Sequence, residues 1–242
     1  MTAHKGRLKV NFMYIIFDMD GVIADTEPVY RDGYLYAADK FGLPAGTMRE
    51  AVRSAVGVTD ERERAIMEEA FADVPWFDLE ETFRACREYF DNIVDTGQVR
   101  LKPGVLRILD FLKDEGIPAG LASSSPRERI DRILKPYGVL PYFDVIISGD
   151  MVTRGKPDPE IFMTCAGRMG LSDSDRGQIY VIEDSANGIR AAAAAGMRPV
   201  MVPDTLEPDD EIRKLTEVIL PSLSEVMAWI GDKERECEGS QQ

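Results

Sequence analysis

A single histidine, His4, stands in the 242 residues, inside the polar leader MTAHKGRLKVN. Residues 1–9 are expected to form a flexible tail, because chain ends fray. A side chain on such a tail cannot position itself as a catalytic base, which excludes Ser-His-Asp and Cys-His chemistry. Cysteine is nearly as scarce. Cys86, Cys165 and Cys237 are odd in number and far apart, which suits reduced thiols rather than a disulfide framework or a zinc site. Apolar runs are short: none approaches a membrane-spanning length, and no apolar signal region opens the chain. The expected address is the cytoplasm. Met13, directly before the first apolar run, offers a second translation start.

Positive charge is also short, with 29 Lys and Arg against 43 Asp and Glu, a net charge of −14. That balance argues against nucleic acid or an anionic membrane as a partner. It also means that an anionic substrate needs local positive charge or a metal to offset the field.

What the chain does contain is a set of short apolar runs alternating with amphipathic stretches, the pattern of a parallel α/β sheet with helices on both faces. The expected strands are FMYIIF (12–17), AGLAS (119–123), VIIS (145–148), IYVIE (179–183), PVMV (199–202) and VIL (218–220). Helices are expected between them at 103–116, 125–138, 158–170, 185–196 and 222–231, the second capped by Ser125 with Pro126 next. Residues from about 26 to 96 break the alternation and show only helix periodicity. The expected organisation is a core of residues 10–25 and 97–235, a helical insertion at 26–96, and tails at 1–9 and 236–242.

Ligands of open α/β sheets sit beyond the carboxyl ends of the strands. The first run delivers Asp18 and Asp20 there, in YIIFDMDG. Two carboxylates so close repel each other unless a cation holds them. The second run delivers Ser123, Ser124 and Ser125 at a helix start, which presents free N–H groups to an anion. Lys156 follows the third, and Glu183 with Asp184 ends the fourth. Oxygen ligands with open positions suit Mg²⁺. Each piece alone has a plain reading as a turn, a cap or a surface loop. DMDG is not an EF-hand, and Gly149 and Gly155 are spaced too widely for a Walker A loop. Together they describe a pocket for a phosphoryl group beside a magnesium ion.

Residues 14–203 resemble the haloacid dehalogenase superfamily, in the branch of phosphatases and β-phosphoglucomutase. FDMDG, LASSS, GKPDP and VIEDSANGIRAAAAAGM carry the resemblance. It implies a Rossmann-like core with an inserted all-helical cap, and Asp18 as a nucleophile forming an aspartyl-phosphate. It implies Mg²⁺ held by the Asp18 side chain, the Asp20 backbone carbonyl and Asp184, with Glu183 nearby. Asp20 would be the acid and base, while Ser123, the Ser124 amide and Lys156 would hold the phosphoryl oxygens. Dehalogenases of the superfamily have no aspartate at the Asp20 position. A phosphonate-cleaving member needs a cap lysine, and residues 26–96 offer only Lys40, inside a helix pattern.

The resemblance further implies that the cap sets specificity, with Tyr30, Arg53, Thr59 and Asp60 as the candidates. β-Phosphoglucomutase has a histidine where this chain has Tyr30 and an arginine where it has Asp60. The expected activity is therefore a phosphatase acting on a small sugar phosphate or phospho-acid. A phosphosugar mutase and a catalytically silent phospho-ligand binder are the alternatives. A monomer whose partner is a small phosphorylated metabolite is expected.

Overall fold

Tyr14–Phe17 (β1) shows why the sheet sits at the centre of the molecule. Its side chains alternate between faces, yet Ile15, Ile16 and Phe17 are all fully buried. A strand buried on both faces must be covered on both, as parallel sheets are. Ile15 and Phe17 join one apolar cluster and Ile16 joins another, the latter with Ile147, Phe162 and Val181. The computed structural model describes residues 13–239 other than 56, 57, 59 and 206.

The other strands are β2 (Ala119–Ala122), β3 (Val145–Ile147), β4 (Ile179–Glu183), β5 (Arg198–Met201) and β6 (Val218–Ile219). They form one parallel sheet in the order β3-β2-β1-β4-β5-β6. This is the doubly wound order whose ligands bind where the winding reverses, between the first and fourth strands. The chain is a Rossmann-like α/β protein, as expected. All six strands lie within a residue or two of the apolar runs; Phe12 is outside the described residues.

The first four helices after β1 are α1 (Glu27–Phe41), α2 (Ala45–Ala55), α3 (Asp60–Ala70) and α4 (Leu79–Asp95). They enclose their own apolar cluster, built on Tyr34, Met48, Met67, Phe71 and Phe83. Phe90 and Val94, near the end of α4, belong instead to the cluster under the sheet. Two strands of chain join the halves side by side. Asp25 N–H donates to Arg100 O (2.8 Å) and Lys102 N–H to Ile23 O (2.9 Å).

The remaining helices are α5 (Val105–Glu115), α6 (Arg127–Leu134), α7 (Glu160–Arg168), α8 (Ala186–Ala194), α9 (Asp210–Leu215) and α10 (Leu223–Gly239). Ser125 does not cap α6. Pro126 takes that position, without a side-chain bond, because the Ser125 hydroxyl is engaged elsewhere. The last helix passes the expected stop at 231 and runs through 236–239, where a tail was expected. The segment DKERECEG holds no proline, and only its last residue is glycine, so nothing in it ends a helix.

Candidate active site

The register of β1 against β4 places the first carboxylates. Asp18 N–H donates to Ile182 O (3.0 Å), which continues the ladder one step past the strand. Oxygens of Asp18, Glu183 and Asp184 then lie within 4.8 Å of one another. Lys156 enters from the loop between β3 and α7. Its Nζ donates to Asp18 Oδ1 (2.5 Å), Glu183 Oε1 (2.7 Å) and Ala122 O (3.4 Å).

Glu183 is held on every side. Its Oε2 accepts from the Asp184 amide (2.9 Å), the Ser185 amide (2.8 Å) and the Ser185 hydroxyl (3.0 Å). Gly188 leaves the space it fills, since a Cβ there would stand 1.7 Å from Glu183 Oε1. Gly21 does the same for Asp184. It has φ +75°, and an added Cβ would lie 2.0 Å from Asp184 Oδ2.

These groups are short of positive charge. Burial pushes Asp18 up to about 7; Lys156 offsets part of this, while Glu183 and Asp20 add to it. Burial raises Asp184 well above the usual carboxylate range, and Glu183 and Asp18 raise it further. Burial works against the charge of Lys156, but Asp18 and Glu183 outweigh it and raise its pKa. One lysine among three carboxylates, all with oxygen donors, fits a hard divalent cation such as Mg²⁺.

Asp20 is handled differently. Its Oδ1 accepts from Thr26 Oγ1 (2.9 Å), and its Oδ2 accepts from Ser125 Oγ (3.0 Å) and Ser123 Oγ (3.4 Å). Its side chain is outside the carboxylate cluster found among the described residues. That leaves the expected Asp20 contribution to a metal with its backbone carbonyl. Ser123 is fully buried, and its hydroxyl also accepts the Ser125 amide (3.0 Å). Ser124 is exposed. The core residues singled out from the strand ends therefore gather at one edge of the sheet.

The cap candidates divide. The Tyr30 hydroxyl accepts from Arg129 Nη1 (2.8 Å), and its ring stacks on Phe90 at 4.4 Å. The Arg129 guanidinium also lies over Phe90, 4.9 Å from the ring centre. Burial, then Asp20, raises the Tyr30 pKa, so its phenol stays protonated. Arg53 is exposed on α2, and no bond among the described residues ties it to the site. Thr59 lies outside the described residues, as does the side chain of Asp60, which opens α3. Sequence reasoning missed Thr26, Glu27 and Arg129. Thr26 and Glu27 stand in DTEP, which begins four residues after the first motif FDMDG, and were visible there as polar groups at a helix start. Arg129 pairs with a residue 99 positions away, and no local pattern marks it.

The family model for haloacid dehalogenase-like hydrolases matches residues 12–196. The chain belongs to this family. It is 35% identical to the phosphorylated carbohydrates phosphatase of Thermotoga maritima over 187 residues, 77% of this chain and 82% of the relative. It is 32% identical to the β-phosphoglucomutase of Bacillus subtilis over 219 residues, 87% of this chain and 93% of the relative. Among solved structures, CbbY from Rhodobacter sphaeroides in complex with phosphate matches with a TM-score of 0.67 and 26% identity, covering 88% of this chain and 95% of that one. This haloacid dehalogenase-like hydrolase thus has relatives named for both hydrolysis and isomerisation. No helix among the described residues is long and apolar enough to cross a membrane.

Proposed function

We propose that the chain is a Mg²⁺-dependent phosphatase that hydrolyses a small phosphomonoester, a sugar phosphate or phospho-acid, through an aspartyl-phosphate. The observation that carries the reading is the division of labour between two aspartates two residues apart. Asp18 is pinned to Lys156 inside the acidic cluster, while Asp20 is held by three hydroxyls outside it.

Asp18, Glu183 and Asp184 would hold the magnesium ion, with the Asp20 carbonyl. When bound, the ion supplies positive charge that lets a carboxylate approach a phosphate dianion. An Asp18 oxygen attacks phosphorus, and the bond from phosphorus to the ester oxygen breaks. Asp20 gives its proton to that oxygen, and the alcohol leaves. Asp20 then takes a proton from water, whose oxygen attacks phosphorus and releases Asp18 and inorganic phosphate. Lys156 and the Ser123 hydroxyl are at hand to meet the phosphoryl oxygens as their charge shifts.

The mutase reading rests on the Bacillus subtilis relative. Two positions favour hydrolysis over it. Tyr30 stands where that enzyme type has a histidine, and it stays protonated and bonded to Arg129, unable to relay a proton as an imidazole does. Asp60 stands where an arginine would grip a second phosphate. A panel of phosphorylated metabolites assayed for phosphate release, with product isomers followed in parallel, tests the reading. β-Glucose 1-phosphate with a trace of the 1,6-bisphosphate is its critical member. Phosphate should appear on the favoured substrates with little isomer. Isomer formed faster than phosphate on any of them would replace the phosphatase with a mutase.

A further inference from the structure

Beside the carboxylate cluster lies a pocket of about 180 Å³ that shares Asp184 as a wall. Its polar lining is Glu27, Asp184, Ser185, Thr205, Glu207 and Asp209, with Ala186, Met201, Pro208 and Ile212 as its apolar part. Four carboxylates and two hydroxyls line it, and among the described residues no lysine or arginine does, although Arg213 pairs with Glu207 from outside (3.6 Å). The basic side chains nearby are already committed. Lys102 Nζ donates to Asp204 Oδ1 (2.6 Å) and Asp25 Oδ1 (3.4 Å), and Lys156 is held by Asp18 and Glu183. Arg129 is bonded to the Tyr30 hydroxyl.

Glu27 stands out in this lining. It is the first residue of α1, so it sits where the cap joins the core. Its carboxylate is half-buried, yet no described residue hydrogen-bonds to it. Asp204 Oδ2 is likewise buried without a partner. Burial, followed by the charges of Asp204 and Asp20, raises the Glu27 pKa, which places it in the field of the acid-base aspartate. Glu27 is not part of the chelating group formed by Asp18, Glu183 and Asp184. A part-buried acceptor without a donor costs free energy until something donates to it.

We propose that Glu27 is a specificity-determining residue, whose carboxylate accepts hydrogen bonds from the hydroxyls of a neutral, polyhydroxylated leaving group and turns away substrates carrying a second anion. The proposal rests on the phosphatase reading and narrows it from sugar phosphates or phospho-acids to monophosphates of sugars or polyols. The chemistry is that of a site built for hydroxyls. An acceptor that a hydroxyl satisfies is left unpaired by an analogue lacking it, and unpaired buried groups discriminate strongly. A second phosphate or a carboxylate would meet like charges at short range with no free cation in the lining.

The experiment compares kcat/KM for a hexitol 6-phosphate, 2-phosphoglycolate, fructose 1,6-bisphosphate and p-nitrophenyl phosphate, in wild type and in Glu27→Gln. Wild type should prefer the hexitol phosphate over phosphoglycolate and over the bisphosphate by about tenfold or more. Glu27→Gln should shrink that ratio at least tenfold, mainly by improving the anionic substrates. The wild-type ratio stands as a test even if the variant folds poorly. Wild-type preference for phosphoglycolate would overturn the proposal and point to Arg129 as a carboxylate receiver. A substrate ratio unmoved by Glu27→Gln, with only the Mg²⁺ half-saturation shifted, would also overturn it and assign Glu27 to the metal's water shell. No phosphate from any compound, p-nitrophenyl phosphate included, would instead sink the phosphatase reading, and this proposal with it.

Discussion

Asp18 is asked to do two incompatible things until a cation arrives. In the proposed mechanism it must be ionised to attack phosphorus, yet burial, with Glu183 and Asp20 beside it, holds its pKa near 7, and among the described residues Lys156 is the cation bonded to it. An acid whose folded pKa lies above its ordinary value of 3.8 destabilises the fold as pH rises through that window, because ionisation is easier in the unfolded chain. Asp18→Asn should therefore do opposite things to activity and to stability. Turnover is expected to fall ~10³-fold or more, the scale on which loss of a nucleophile acts. In the metal-free protein, the Tm difference should move in the variant's favour between pH 5 and pH 7. Retention of more than a few per cent of wild-type kcat would remove Asp18 from the nucleophile's role. A Tm difference that moves the other way would mean that Lys156 matters more to Asp18 than burial does.

At the scale of elements, the site depends on the turn that leaves β1. Met19 O accepts both the Ile23 and Ala24 amides (2.8 Å each), and the Gly21 amide donates to Ala24 O (2.9 Å). This tight turn carries Gly21 at positive φ, against the Asp184 carboxylate. Gly21→Ala is expected to cost about 1 kcal/mol or more in stability from the backbone alone. It should also push Asp184 off its position, so the Mg²⁺ concentration for half-maximal activity should rise at least tenfold. An unchanged Mg²⁺ requirement would mean that Asp184 is no ligand. Much of this element-level plan was legible in the chain. β1, β2 and β4 are continuous apolar runs because both faces are buried, and the polar residue at or just past each end, Asp18, Ser123 or Glu183, marks the sheet edge. Ser125 was misread because a serine before Pro-Arg-Glu looks like a helix cap, whereas Asp20, 105 residues away, takes its hydroxyl. Helix α9 went unread because only six residues form it, too few for a periodic apolar face. The Tyr30–Arg129–Phe90 stack joins three separate segments, and only the packing of the cap on the core brings them together.

For the whole molecule, the acidic site and the net charge of −14 act in the same direction. Asp18, Glu183 and Asp184 bring three carboxylates against one ammonium at the reversal point of the sheet, between β1 and β4. Those two strands and their flanking clusters hold most of the buried apolar surface together. A cation bound there is thus bound to the centre of the fold, and its binding energy adds to the stability of the folded state. At a Mg²⁺ concentration about 100 times its Kd, linkage alone contributes ~2.7 kcal/mol. For a chain of this length that corresponds to a rise in Tm of roughly 5–10 °C. Thermal unfolding in EDTA and in saturating MgCl₂ measures it. Asp184→Asn should abolish most of the rise while leaving the EDTA value equal or higher, since burial raises the Asp184 pKa as well. Exposed carboxylates elsewhere bind Mg²⁺ weakly and should contribute little to the difference between variant and wild type. A wild-type Tm indifferent to Mg²⁺, or an equal rise in Asp184→Asn, would place any bound ion away from the sheet edge and leave Lys156 as the sole counter-charge to Asp18.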